Sequence, residues 1–343
     1  MTETERTGVL LLNLGGPDSL QAVRPFLYNL FSDREIIRLG PPFLQRPLAW
    51  LISALRSEKT RSMYRQIGGR SPILDITKAQ AEALEKALNE NIEPQSRRAA
   101  EPQRFKVYIG MRYWRPFVKD TIDQIISDGT KDLVVLSMYP HYSKATTGSS
   151  VDEFKRLIKG KGINVRYIEE WYDFPPYIES LAELVAKGAS EFMGKDFELL
   201  YSAHSLPQSF IDEGDPYLDH INLTINKVNE RLGAGPYNIS GLKTRLSFQS
   251  KTGPVKWLGP STEETIIDLA NKGCKNLLVA PVSFVSDHIE TLYEIDILYK
   301  KFAQGQGMDL RRCGSLNTND RFIFALKELI LSTNGQELRV KGR

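Results

Sequence analysis

Gly8-Val-Leu-Leu-Leu-Asn-Leu-Gly-Gly-Pro17 is an apolar run closed by a glycine turn, and Phe197-Glu-Leu-Leu-Tyr-Ser-Ala-His-Ser-Leu-Pro207 repeats its pattern in the second half of the chain. Continuous apolar runs of this length read as strands covered on both faces, the signature of a parallel sheet. A second pair follows the same logic. Asp128-Gly-Thr-Lys-Asp-Leu-Val-Val-Leu-Ser137 parallels Lys272-Gly-Cys-Lys-Asn-Leu-Leu-Val-Ala-Pro281, and a further strand lies between the members of each set, near Lys106 and near Arg245. The order is the same both times. This predicts a degenerate duplication, two similar α/β halves meeting near Trp171–Pro176.

Strands are expected over Gly8–Leu14, Phe105–Gly110, Asp132–Tyr139, Asn164–Ile168, Glu198–Ala203, Thr244–Gln249 and Asn276–Val282. Helical periodicity fills the intervals, at Ile73–Asn89, Pro116–Ser127, Tyr177–Phe192, Pro216–Leu232 and Thr262–Lys272, with Gly and Asp or Asn at their ends. Open parallel sheets bind ligands beyond the carboxyl ends of their strands. His204, Tyr139-Pro-His-Tyr142, Gly15-Gly-Pro17 and Val282–Glu290 all fall there, so a cleft between the halves is the expected site.

The chain has 343 residues, of which 41% are hydrophobic, enough for two ordinary domains with a substantial core. Lys plus Arg outnumber Asp plus Glu by 45 to 42, a net charge of +3 that does not suggest nucleic-acid binding. The two cysteines, Cys274 and Cys313, make neither a disulfide framework nor a Cys-x-x-Cys metal pattern, and they fit a reducing compartment. Met1-Thr-Glu-Thr-Glu-Arg-Thr-Gly8 is polar and acidic, unlike a signal peptide, and no apolar run approaches bilayer-spanning length. The expectation is a cytoplasmic protein able to touch a membrane surface.

One segment departs from βαβ logic. Leu39-Gly-Pro-Pro-Phe-Leu-Gln-Arg-Pro-Leu-Ala-Trp-Leu-Ile-Ser-Ala-Leu55 is apolar, carries three prolines and precedes Arg56-Ser-Glu-Lys-Thr-Arg61. The bland reading is a helix packed on the core. The functional one is an apolar lip that admits a large flat ligand or rests on lipid headgroups.

Gly15-Gly-Pro17 sits where a dinucleotide fingerprint would sit. The G-x-G-x-x-G spacing is absent and Pro17 removes an amide, so it reads as a tight turn under a ligand. His204 follows a buried strand beside Ser202 and Ser205, a position that favours chemistry over a structural hydrogen bond. His141 follows Tyr139-Pro140 and reads as cleft lining, His220 as a surface residue of a helix, and His288 as structural. Asp287, Glu290 and Glu294 are spaced three and four apart, which on a helix aligns all three carboxylates on one face. Such a row is commonly a solvated face. Here Phe284, Ile289, Leu292 and Tyr293 surround it, and a row leading inward can step a divalent cation toward His204 and accept protons as a coupled set. Arg112-Tyr-Trp-Arg115, Tyr139, Tyr142, Tyr64 and Trp257 add aromatic and cationic groups at other strand ends. That mixture suits a planar ligand with carboxylate tails, although core packing explains some of it.

Taken together these residues resemble the ferrochelatase family. The resemblance is carried by Leu12-Asn-Leu-Gly-Gly-Pro17, Tyr64-Arg-Gln-Ile-Gly-Gly69, Gly110-Met-Arg-Tyr113, Tyr139-Pro-His-Tyr-Ser143, Thr146-Thr-Gly-Ser-Ser150, Ser202-Ala-His-Ser-Leu-Pro207, Phe248-Gln-Ser-Lys251, Trp257-Leu-Gly-Pro260 and Ser286-Asp-His-Ile-Glu-Thr-Leu-Tyr-Glu-Ile-Asp296. It implies an α/β chelatase-like fold of two Rossmann-like halves, each a four-stranded parallel sheet flanked by helices, around a porphyrin cleft. Residues 1–170 with 318–343 form one half, bearing the lip near 39–55, and residues 171–317 form the other. The implied activity is insertion of ferrous iron into protoporphyrin IX to form protohaem. His204 matches the family's active-site histidine and Glu290 its partner, as catalytic and metal-contacting residues. Asp287, His288 and Glu294 match the neighbouring polar path, and Leu14, Tyr64, Arg112, Tyr113, Tyr139 and Trp257 match substrate-binding positions.

Cluster-bearing family members use four cysteines, most of them in a C-terminal extension. Two cysteines, and Lys144 in the Tyr-Ser-x-x-Thr-Thr-Gly-Ser-Ser motif, predict no iron–sulfur cluster and no tightly bound cofactor. Lys251-Thr-Gly-Pro254 and Glu290-Thr-Leu-Tyr293 resemble the protoporphyrin-using branch more than the coproporphyrin-using one. The expected partners are porphyrin and ferrous iron, with no nucleic acid, a peripheral membrane contact through the lip, and a monomer or homodimer. The alternatives are a coproporphyrin III ferrochelatase, a chelatase for another tetrapyrrole or metal, and a haem carrier without turnover.

Overall fold

The computed structural model describes residues 6–90, 104–234, 236–239, 241–251 and 255–333. It contains two four-stranded parallel sheets. The first is built from β1 (Arg6–Asn13), β2 (Arg104–Met111), β3 (Asp132–Ser137) and β4 (Asn164–Ile168), in the order β2-β1-β3-β4. The second is built from β5 (Glu198–His204), β6 (Thr244–Gln249), β7 (Asn276–Pro281) and β8 (Asp309–Arg312), in the order β6-β5-β7-β8. In each sheet the first strand is inner and pairs with the second and third. The duplication legible in the sequence is thus a duplication of topology. The expected elements shift by one or two residues, and β8 was not among them.

Alternation along β1 shows why an apolar run was needed. Val9 and Leu11 point into a core that also takes Leu199 and Tyr201 of β5, Trp171, Tyr177 and Phe322. Leu10 and Leu12 face the other way, against Ile122, Ile125, Val151 and Phe154. All four are fully buried, each contributing roughly 1.5–3 kcal/mol relative to exposure. The second sheet repeats the scheme, with Leu200, Leu277 and Val279 packed outward on Ile266, Leu269, Ile295 and Tyr299. The inner faces of both sheets therefore share one core. Helix Asp320–Ser332 lies in it, packed on helices Ile73–Asn89 and Pro175–Ser190. Residues 334–343, assigned to the first half from sequence, lie outside the described residues.

The glycine turn after β1 is sterically required. Gly15 has φ +82°, and a Cβ on Gly16 would lie 2.4 Å from Ser71 Oγ. The amide of Ser71 donates to Pro17 O at 2.8 Å, seating the turn on the start of helix Ile73–Asn89.

The lip folds as a short 3₁₀ turn, Pro42–Leu44, and a long helix, Gln45–Gln66. Its buried face is small or polar: Gln45, Ala49, Ser53 and Ser57, each four residues on from the last, then Tyr64. Gln45 Nε2 donates to Phe31 O and Ile37 O, which ties the helix to the segment before it. The apolar residues face out, with Phe43 75%, Leu55 74% and Trp50 57% exposed. The helix packs on helix Val23–Ser32 and its cluster through Ala49, Ile52 and Tyr64, as the bland reading expects, while most of its large apolar side chains face out.

Candidate active site

His204 is the last residue of β5, and its Cα partner across the sheet is Gln249, the last of β6. Beyond β7 the chain runs through Val282–Ile289 into a π-helical segment, Glu290–Tyr299. Such wide turns recur where side chains must be re-aimed at functional sites. Three strand ends thus converge on one point, as parallel topology leads one to expect.

His204 Nδ1 and Glu290 Oε2 are 2.8 Å apart. In the neutral imidazole, Nδ1 donates its hydrogen to the carboxylate and the Nε2 lone pair is left to accept a proton. The His204 backbone is also pinned, its N–H donating to Ser283 Oγ at 3.0 Å and its carbonyl accepting from Tyr217 OH at 3.0 Å. Gln249 Nε2 donates to Glu290 O at 3.0 Å, while its Oε1 accepts from Ser202 Oγ at 2.5 Å. Ser250 Oγ lies 2.8 Å from Glu290 Oε2 and 2.6 Å from Glu294 Oε2.

Charge and burial divide the three titrating groups. Burial pulls the His204 imidazole down, but the Glu290 carboxylate, with Glu294 behind it, outweighs burial and leaves it raised. Burial also pushes Glu290 up. His204, by charge and hydrogen bond, more than offsets this, helped by His288 and Ser250, so Glu290 stays ionised below the usual range. Glu294 feels the His204 charge too weakly to offset its burial. Burial, then the Glu290 charge, push it up to about 8. A hydroxyl carries one hydrogen, so both short Ser250 contacts are met together only when Glu294 is the protonated member. It then donates to Ser250 Oγ, which donates to Glu290. The centre is a proton chain: Glu294, Ser250, Glu290, His204.

Asp287 does not join the row. It precedes the π-helical segment, and its carboxylate turns away to accept from Arg312 Nη1 at 3.0 Å, Ser315 Oγ at 2.7 Å, Asn317 Nδ2 at 2.8 Å and Thr291 Oγ1 at 3.0 Å. Arg312, at the end of β8, also grips Asp296 with two bonds of 2.8 Å. The expectation that Asp287 aligns with Glu290 and Glu294 is corrected for this reason: the guanidinium holds it below its usual range against the cost of burial. His288 is buried among Phe284, Ser286 and Thr291, and its Nε2 lies 4.0 Å from Glu290 Oε1.

The substrate-binding candidates gather on the facing side. A crevice lined by Asn13, Leu14, Tyr139, Phe284 and His288 joins the carboxyl ends of β1 and β3 to the segment after β7. Tyr64 and Tyr113 are buried in a cluster that also takes in Leu14, Trp114 and Ile289, the neighbour of Glu290. The phenols of Tyr64 and Tyr139 are raised, first by burial and then by the Glu290 charge. Trp257 bridges antiparallel to Pro207, three residues past His204. Arg112 is occupied: Nη2 meets Asp33 at 2.8 Å, Nη1 meets Glu153 at 3.1 Å and Nε donates to Ser149 Oγ at 2.9 Å. Asp33 also accepts from Tyr113 OH at 2.6 Å.

Two histidine readings are corrected. His220 is buried rather than on the surface, stacked on Tyr172 at 3.7 Å with Nδ1 accepting from the Tyr142 amide, because it lies on the packed face of helix Tyr217–Gly233. His141 does not line the crevice. It is buried against Thr224 Oγ1 at 3.0 Å, and burial followed by the His220 charge brings it down to about 3. Gln249, Ser250, Asp33 and Arg312 were given no role from sequence. The first two stood in the Phe248-Gln-Ser-Lys251 motif, the only signal that pointed to them.

A family model described as Ferrochelatase matches residues 6–334. The chain belongs to the ferrochelatase family. A ferrochelatase of Geotalea uraniireducens is 51% identical over 97% of this chain and 99% of its own length. One of Desulfotalea psychrophila is 50% identical over 96% of this chain and 97% of its own. Among solved structures, SirB from Bacillus subtilis with Fe3+ aligns with a TM-score of 0.54 over 96% of both chains at 9% identity, a likeness of fold. This ferrochelatase inserts iron into a porphyrin to form haem. Metallation strips two protons from pyrrole nitrogens, and the proton chain ending at His204 is chemistry of the kind that step needs.

Proposed function

We propose that this ferrochelatase metallates protoporphyrin IX with ferrous iron, and that His204 and Glu290 are its proton-accepting pair. The observation that carries the assignment is the 2.8 Å contact from His204 Nδ1 to Glu290 Oε2. Nε2 takes a pyrrole proton while the carboxylate stabilises the imidazolium that results. Glu294 and Ser250 form the onward route for protons. Leu14, Tyr64, Tyr113, Tyr139 and Trp257 shape the porphyrin cleft. Among the described residues no three His, Cys, Asp or Glu side chains converge as a metal-binding group, so the incoming ferrous ion draws on the pyrrole nitrogens along with His204 and Glu290.

Protoporphyrin IX carries two carboxylates and coproporphyrin III four. The Arg112 guanidinium, the obvious partner for an extra tail, is already held by Asp33 and Glu153, which favours the ring with fewer charges. Of the branch motif Lys251-Thr-Gly-Pro254, positions 252–254 lie outside the described residues. The enzyme works without an iron–sulfur cluster. Cys313 is buried, Cys274 is half-buried with its thiol donating to Asn276 O, and the chain has no other cysteine. The exposed Phe43, Trp50 and Leu55, with the exposed Arg46 alongside, rest on a lipid surface, from which an apolar porphyrin is taken up. No helix of the described residues is long and apolar enough to cross a membrane.

The test is anaerobic incubation of the purified protein with ferrous iron and either porphyrin, followed by visible absorption. Protohaem should form faster than coprohaem. Faster coproporphyrin turnover reverses the substrate assignment, and haem binding without metallation points to a carrier.

A further inference from the structure

We propose that Ser250 is a positioning residue of this centre: its hydroxyl, aimed by a left-handed backbone, fixes the spacing of Glu290 and Glu294 and through Glu290 the setting of His204. The inference rests on the reading of His204 and Glu290 as the proton-accepting pair.

Strand β6 ends at Gln249, and the next residue leaves the extended conformation with φ +66°. Among the described residues only three besides glycine adopt positive φ, and the other two, Asn238 and Asn317, are asparagines, which tolerate it best. A serine there is out of place by backbone preference, and glycine would fit more comfortably. What serine adds is the hydroxyl. Among the described residues its oxygen is the one atom within 2.8 Å of both carboxylates, whereas Gln249 Nε2 stands 3.4 and 3.5 Å from them. Strain kept in a residue that touches both acidic groups of a reaction centre points to a role in that centre.

Without the hydroxyl, no other atom of the described residues joins the two carboxyl groups at that distance, and the hydrogen-bonded link from Glu294 to Glu290 is broken. Glu290 then loses its fixed distance to His204 Nδ1. A misplacement on the order of 1 Å in such a group costs about 10- to 100-fold in rate. A residue that only terminates β6 would act on stability and leave turnover alone.

The experiment compares Ser250→Ala and Ser250→Gly in the full chain. Both lack the hydroxyl, but only alanine keeps the strain. The expected result is a fall in kcat of about tenfold or more in both variants, with KM for protoporphyrin IX within about threefold of the parent. Ser250→Gly should melt at or above the parent temperature while showing that loss. A Ser250→Gly enzyme with kcat within twofold of the parent overturns the proposal, as does a rise in KM with kcat unchanged. Glu290→Gln, measured alongside, separates the two layers. Normal turnover in Glu290→Gln overturns the pair and the role of Ser250 with it. An inactive Glu290→Gln beside a fully active Ser250→Gly overturns the role of Ser250 alone.

Discussion

Replacing Glu294 with Gln should stabilise the protein, and more so as pH rises. The carboxyl ordinarily titrates near 4.5, and in the folded chain burial and the Glu290 charge push it up to about 8. Below 4.5 it is protonated in both folded and unfolded chains and contributes nothing to pH dependence. Between 4.5 and 8 the unfolded chain releases a proton that the folded chain retains, so folding is penalised progressively. Above 8 the penalty is complete. At pH 7 the interval covers about 2.5 units at about 1.4 kcal/mol each, an upper bound between about 3 and 4 kcal/mol. Glu294 is partly exposed and shares its environment with Glu290, which reduces this to about 1–2 kcal/mol. Gln supplies an amide N–H that can donate to Ser250 Oγ, as the protonated Glu294 does, and it does not titrate. Thermal unfolding of both proteins at pH 5 and pH 8 should therefore show the advantage of Glu294→Gln larger at pH 8 by about 2–5 °C. An advantage independent of pH, or a parent protein more stable at pH 8, refutes the reasoning.

Arg312→Ala leaves Asp287 without its guanidinium and should lower stability by about 3 kcal/mol, seen as a drop of several degrees in melting temperature. Lysine cannot reproduce the two-pronged contact and should not restore it. A melting temperature unchanged in Arg312→Ala contradicts this account of Asp287. Changing Trp50 and Leu55 together to Ser removes two of the outward apolar anchors. Co-sedimentation with anionic vesicles should weaken about 10- to 100-fold, with turnover of detergent-dispersed porphyrin within twofold. Unaltered vesicle binding sinks the lip assignment.

The fold was legible because covered parallel strands announce themselves as uninterrupted apolar runs, and because the runs recur in order. β8 escaped because it is short, with Leu310 its one fully buried apolar residue between Asp309 and two arginines. That His204 would face the carboxylates after β7 was legible because both segments follow apolar strands, and the family resemblance singled out Glu290 among them. The fate of Asp287 was not. Sequence spacing aligned it with Glu290 and Glu294, but the side chain that claims it, Arg312, arrives from another strand. His220 was misplaced because a helical pattern does not say which face will meet the other half of the molecule. Ser250 was hidden more deeply, since left-handed backbone at a non-glycine residue leaves no mark in the sequence.

The central claim is that His204, backed by Glu290, accepts pyrrole protons. Its most direct test is steady-state metallation of protoporphyrin IX by ferrous iron with His204→Ala, folding being verified by circular dichroism. The account predicts a loss in kcat of about 10²- to 10⁴-fold with KM for porphyrin little changed. A folded His204→Ala protein that forms haem at close to the parent rate contradicts it.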